Sequence, residues 1–246
     1  MGAPSLNHVV NTVSPAPGLE NKHVNIGTGG WAYLPLERED RLRAYAELFD
    51  YVEVNTTFYH MPGLGTVRSW RRRVPPGFTF SVKCNRLATH RLGLTPVEET
   101  FRVLEHMRMV LRLLRSEMLV LQTPPSLYVD EGKAREVAAI LPSAGLGGIQ
   151  VFWEDRSPKS RGHVKAVREV MLREGVVPVV DLSLEPPVAG APVTYSRMFG
   201  AGAYDGDLLS KIYNRVNGGR GGTAVLTFHG GNMYVDALRY KTWFSR

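Results

Sequence analysis

Eight short runs of β-branched and aromatic residues, separated by segments of helical spacing, constrain this chain more than any other feature. They are VNIGT (24–28), YVEVN (51–55), FTFSVK (78–83), MLVLQ (118–122), GIQVFW (148–153), VVPVVD (176–181), VTYSRM (193–198) and TAVLTF (223–228). Strands that alternate with helices form βαβ units around a parallel sheet, and eight such units predict an α/β fold, a closed TIM-type (β/α)8 barrel. The clearest helix runs from about Thr95 to Arg115, where Phe101, Leu104, Leu111 and Leu114 recur at helical spacing. The connection after the sixth run carries Pro186, Pro187 and Pro192, so a loop is expected there and the sixth helix is missing or reduced. A final helix from about Val235 is expected to cover the first strand. The Gly-rich stretch 217–222 reads as a turn rather than a phosphate cradle.

The chain has 246 residues, a length that one barrel fills. No internal repeat or long Gly/Ser linker divides it, so 23–246 reads as a single barrel domain behind a flexible tail, 1–22, rich in Asn, Pro, Ser and Gly. With 43% hydrophobic and 22% charged residues the composition is globular, which argues against a disordered, collagenous or membrane-spanning chain. The single cysteine, Cys84, excludes an intrachain disulfide framework and a multi-thiolate zinc site, and a reducing cytoplasm is the natural location. The first ten residues lack an export signal, and Leu6 breaks the myristoylation pattern, so no membrane partner is expected.

Side chains of a strand face opposite sides in turn. In the second run Val52 and Val54 face the helices, whereas Tyr51, Glu53 and Asn55 face the interior. In the third, Phe80 and Val82 point outward and Ser81 and Lys83 inward. The same alternation brings Gln122, Glu154, Asp181, Arg197 and His229 to the C-terminal rim, where barrels of this type carry their active sites. Charged groups at a barrel mouth must pair, bind a polar ligand, or do both.

The words GTGGWAY, VEVNTTFYHMP, SWRRRVPPGFTFSVK, Thr89-His90 and LQTPPSL occur in an order that resembles the YecE-like family, domain of unknown function 72, from about Ile26 to Ser126. Further on, VFWEDRSPKS is similar to the family's Glu-x-Arg strand end, with Glu154 and Arg156 at matching positions, and Arg197 matches the arginine of its seventh strand. Phe199-Gly200 stands where the family has His-Gly, and His229-Gly230 where it has an Asn pair. The resemblance implies a TIM-type barrel and no established reaction.

Together these residues point to an enzyme for acid/base chemistry, hydrolytic or isomerising, on a small polar or anionic substrate. Glu53 and Glu154 form the expected acid/base pair, and Lys83 and Arg197 orient the substrate and stabilise negative charge. Asn55, Gln122, Arg156 and His229 are the expected polar contacts, and Trp31 and Tyr59 stack on the substrate or exclude water. Trp31, Tyr33, Phe58 and Tyr59 also read as a packed collar over the barrel top. A divalent metal held by His90 and His229 with Glu53, Glu154 or Asp181 is possible but not favoured, and the cofactor stays unknown. Cys84 faces the helices, so it reads as a buried filler rather than a thiolate. The alternative is a noncatalytic module whose outer arginines (Arg68, Arg71, Arg72, Arg73, Arg108, Arg112 and Arg115) bind a protein or, weakly and nonspecifically, nucleic acid.

Overall fold

The computed structural model describes residues 22–36, 39–157, 162–200 and 202–244. The expected tail lies outside them except for Lys22, whose ammonium caps α7 (Gly206–Gly218) by donating to the carbonyls of Val216 and Gly219 at 2.5 and 2.7 Å. Each of the eight expected runs carries a strand: β1 (His23–Thr28), β2 (Tyr51–Val54), β3 (Thr79–Lys83), β4 (Met118–Thr123), β5 (Gln150–Asp155), β6 (Val176–Pro178), β7 (Val193–Phe199) and β8 (Thr223–His229). The helices are α1 (Arg41–Leu48), α2 (Thr56–Tyr59), α3 (Leu64–Arg72), α4 (Glu98–Leu114), α5 (Glu131–Ser143), α6 (Val164–Arg173), α7 and α8 (Met233–Phe244), and a π turn spans Leu87–Arg91. Every strand pairing is parallel, as right-handed βαβ crossovers require.

The strands follow chain order around the barrel in two ladders, β2 through β6 and β7-β8-β1. The expected eight-stranded arrangement is present, with two seams where the ladders meet. Between β6 and β7 the seam is a single bridge, with Val180 N donating to Tyr195 O at 3.1 Å and Arg197 N to Val180 O at 2.9 Å. Between β1 and β2 a side chain does the work of the backbone. Tyr45 Oη accepts from Thr28 N and donates to Tyr51 O, both at 2.9 Å. Gly27 allows this approach, since a Cβ there would stand 2.1 Å from Tyr51 O. Tyr45→Phe therefore leaves two buried backbone groups unpaired and is expected to lower stability by about 1–3 kcal/mol, read from urea unfolding.

Alternation sorts the core into two parts. Tyr51, Val120, Phe152, Val177, Tyr195 and Val225 pack inside the barrel. Val52, Val54, Phe80, Val82, Leu119 and Leu121 pack against the helical ring, as does Cys84, whose thiol burial pushes up to about 12. The long helix α4 buries Leu104, Leu111 and Leu114 as expected, whereas Phe101 is only partly covered. No helix connects β6 to β7. The proline-rich loop is held instead by Arg168, paired with Glu185 at 2.8 Å, and by Arg215, which donates to Leu182 O at 2.7 Å. Among the described residues no helix is long and apolar enough to cross a membrane.

Candidate active site

The innermost polar layer is neutral. Tyr51 Oη lies 2.7 Å from both Ser81 Oγ and Tyr195 Oη and 3.0 Å from Thr227 Oγ1, which locks strands on opposite sides of the barrel together. Two residues further along each strand, alternation returns to the interior and the layer becomes charged. Arg197 spans it. Its Nε donates to Glu53 Oε2 and its Nη2 to Glu53 Oε1, both at 3.0 Å, a bidentate fork. Its Nη1 donates to Gln122 Oε1 at 2.8 Å and to Glu154 Oε2. Tyr195 Oη donates to Glu53 Oε2 at 2.9 Å, and Arg156 Nε to Glu154 Oε1 at 2.6 Å.

Exposure divides these groups. Glu53 is 0% and Arg197 2% exposed, so the two are a buried ion pair. The Glu154 side chain is 15% exposed and that of Arg156 35%, which puts this pair at the surface of the cluster. Burial raises the Glu154 carboxyl, but Arg197 and Arg156 outweigh it and hold the group below the usual carboxylate range. Burial likewise opposes the charge of Arg197, and Glu53 and Glu154 restore it.

Lys83 has a different environment. It ends β3, its Nζ stands 3.9 Å from the centroid of the Phe58 ring, and among the described residues no carboxylate oxygen lies within 4.0 Å of it. Burial, then the nearby positive charge of Arg197, lower its pKa to about 7, against weaker opposing pulls from Glu53 and Glu154. This amine therefore gives up its proton far more readily than an exposed lysine.

His229 and Phe199 complete the mouth. They are register partners at the ends of β8 and β7, and their rings stack at 4.4 Å and 14°. The two departures from the family pattern thus touch each other. The Phe199 ring also faces the guanidinium of Arg156 at 4.8 Å and that of Arg197 at 5.1 Å. Burial, then Arg197, pushes the His229 pKa well below the ordinary histidine range; its Nε2 lies 3.7 Å from Glu53 Oε1 without a hydrogen bond, as a neutral imidazole. A Phe199→Ala/His229→Ala double-mutant cycle is expected to give a coupling of about 0.5–1.5 kcal/mol in thermal unfolding.

The other expected contacts separate from this cluster. Asn55 Nδ2 donates to Gly29 O at 2.7 Å, and Asn55, Trp31, Tyr59 and Trp70 line a groove of about 350 Å³ beside the mouth. Of the four residues of the expected collar, Phe58 is buried and Trp31 packs edge-on against Trp70 at 5.4 Å, whereas Tyr33 and Tyr59 are exposed. Asp181 does not join the rim charges. β6 stops at Pro178, and Asp181 turns to accept from Ser183 N at 2.8 Å and Phe199 N at 3.1 Å. His90 hydrogen-bonds Thr89 at 2.9 Å, and among the described residues no group of three or more His, Cys, Asp or Glu side chains is placed to hold a metal ion. One contributor, Tyr195, escaped the sequence reading, and Phe58, placed at the mouth by it, has a role it did not give. Tyr195 was legible by alternation, two residues before Arg197, whereas Phe58 supports Lys83 through a contact that no spacing announces.

The outer arginines are partly consumed by the fold. Arg71 donates to Phe78 O at 2.7 Å and to Pro75 O, Arg73 pairs with Asp40 at 3.4 Å, and Arg108 pairs with Glu105 at 3.6 Å. Arg68, Arg72, Arg112 and Arg115 remain exposed.

Solved structures share this architecture. A DUF72 family protein from Enterococcus faecalis superposes with a TM-score of 0.68 at 17% identity, covering 89% of this chain and 96% of its own. One from Thermotoga maritima gives 0.67 at 18%, covering 89% and 98%. An AP endonuclease, family 2, from Brucella melitensis gives 0.55 at 13%, covering 91% and 98%, a likeness of fold alone. No curated protein matches this chain. The sequence pattern of the family described as "Protein of unknown function DUF72" matches residues 25–242, well past the stretch where the motifs are densest, and the chain therefore belongs to the DUF72 family.

Proposed function

We propose that this protein is an enzyme for acid/base chemistry on a small substrate bearing a negative charge, bound at the C-terminal rim, with Lys83 as reacting group and Glu154 as its partner base. The observation that carries the reading is the isolation of the Lys83 amine, buried beside two guanidinium groups and without a carboxylate in contact. An incoming anion supplies the missing counter-charge, and the exposed edge of Arg156 offers the docking point. Relative to the expected carboxylate pair the roles divide: Glu53, closed in by Arg197 and Tyr195, holds the frame, while Glu154 keeps access to the mouth. Proton transfer next to a carbonyl, the isomerising branch, suits an amine and a carboxylate better than hydrolysis does.

Turnover in a panel of small phosphorylated and carboxylated oxo- and hydroxy-compounds tests this. Lys83→Met and Glu154→Gln are each expected to lower kcat by about 10²–10⁴-fold, and Arg156→Ala to raise KM. The Arg72→Glu/Arg112→Glu double variant should leave both constants unchanged. Wild-type turnover in Lys83→Met would remove Lys83 from the reaction. A nucleic-acid affinity that falls steeply with salt and drops in the Arg72/Arg112 variant would favour the binding-module reading instead.

A further inference from the structure

Among the described residues Lys83 is the only buried lysine, 6% exposed, and it ends an interior strand rather than lying on the helical ring. Phe58, which faces the amine, is itself fixed edge-on by Tyr59 and His90, each at 5.0 Å. The titratable and charged groups coupled to the amine come from five elements: Arg197 on β7, Glu53 on β2, Glu154 and Arg156 at the end of β5, His229 at the end of β8, and His90 on the π turn beyond Phe58. Such a nitrogen has a free lone pair, a supporting face for a cation, and no carboxylate to compete with a ligand.

We propose that Lys83 captures a small anionic aldehyde or ketone as an imine, with the anion docked on Arg156. This rests on the reading of the rim as the working site and names its substrate class. The Nζ lone pair forms a bond to the carbonyl carbon while the carbonyl π pair moves to oxygen, which takes a proton from nitrogen and gives a carbinolamine. A proton from solvent then joins the hydroxyl, the C–O bond breaks, water leaves, and the nitrogen lone pair closes the C=N bond. One amine, one carbonyl and one proton become one iminium and one water, with no change of oxidation state. The iminium carries the same single positive charge as an ammonium in the same place. It therefore meets the same burial and the same Arg197 field that oppose the ammonium, and the substrate's own anion, beside the Phe58 face, supplies the offsetting charge; the iminium in turn acidifies the neighbouring C–H bond for Glu154.

The test uses the full chain with glyoxylate as the anionic probe and acetaldehyde as the neutral one, each reduced in place with cyanoborohydride near pH 7 and mapped by peptide mass. Lys165, whose side chain is 93% exposed, is the internal reference. With glyoxylate, labelling of Lys83 should exceed that of Lys165 at least about 10-fold, because an ordinary lysine is almost wholly protonated at this pH. Arg156→Ala should remove the advantage of glyoxylate over acetaldehyde, and Lys83→Arg should abolish the label at that position. Labelling of Lys83 no greater than of Lys165 overturns the inference. Competitive acetylation across pH separates the two readings. A Lys83 midpoint near 7 without glyoxylate capture sinks the imine and leaves the rim site standing, whereas an ordinary lysine midpoint sinks both.

Discussion

Replacing Glu53 by Gln lowers the stability of the folded chain by about 3 kcal/mol, and breaking a buried ion pair by removing one charge is the reason. Arg197 keeps its charge because Glu154 still faces it, but loses the bidentate partner that offset its own burial. In a chain of this size that loss corresponds to roughly 6–12 °C in melting temperature. Arg197→Met alone should cost as much or more, since Glu53 would be left with Tyr195 and a neutral His229. The double variant Glu53→Gln/Arg197→Met should be more stable than the sum of the single losses predicts, because no unpaired charge then remains beside Glu53. Urea unfolding of the four proteins reads this directly. Single losses under about 1 kcal/mol would mean that the pair is not desolvated as its burial implies.

Lys83→Met acts in the opposite direction at neutral pH. Unfolded, the lysine holds its proton up to the ordinary value near 10.5, whereas in the fold it releases it at about 7. Below pH 7 both states are protonated, and the cost of burying the ammonium is fully present. Between about 7 and 10.5 the unfolded state binds more protons, so stability rises with pH by up to about 1.4 kcal/mol per unit. Above that window both states are neutral and the penalty is gone. Methionine has similar length and no charge, so the variant should be more stable than the wild type at pH 7 and lack this rise. Comparing the two proteins at each pH cancels the buried tyrosines, Tyr51 and Tyr195, which burial keeps protonated in both. Parallel urea-midpoint profiles across pH 6–10 would show that the amine is solvated and protonated like a surface lysine.

How far the sequence reached follows from the range of the forces involved. Strand alternation is set by the local geometry of a pleated backbone, so the inward positions of Tyr51, Glu53, Ser81, Lys83, Gln122 and Arg197 were legible from spacing two residues at a time. Pro186, Pro187 and Pro192 announced the missing sixth helix for an equally local reason, the lost N–H and fixed φ of proline. Which inward charges meet is a different question. Arg197 grips Glu53 from 144 positions away and leaves Lys83 without a carboxylate, because the cross-barrel distances depend on how the strands tilt and stagger around the ring. The same stagger sets Phe199 on His229, opens the β1–β2 seam that Tyr45 bridges, and turns Asp181 out of the cluster once β6 stops at Pro178. By itself the sequence determined the strands, their inward faces and hence the set of groups at the mouth. Only the tertiary structure decided which are locked in pairs and which amine stands free, since partner choice depends on distance and desolvation, and neither is a property of a local stretch of chain.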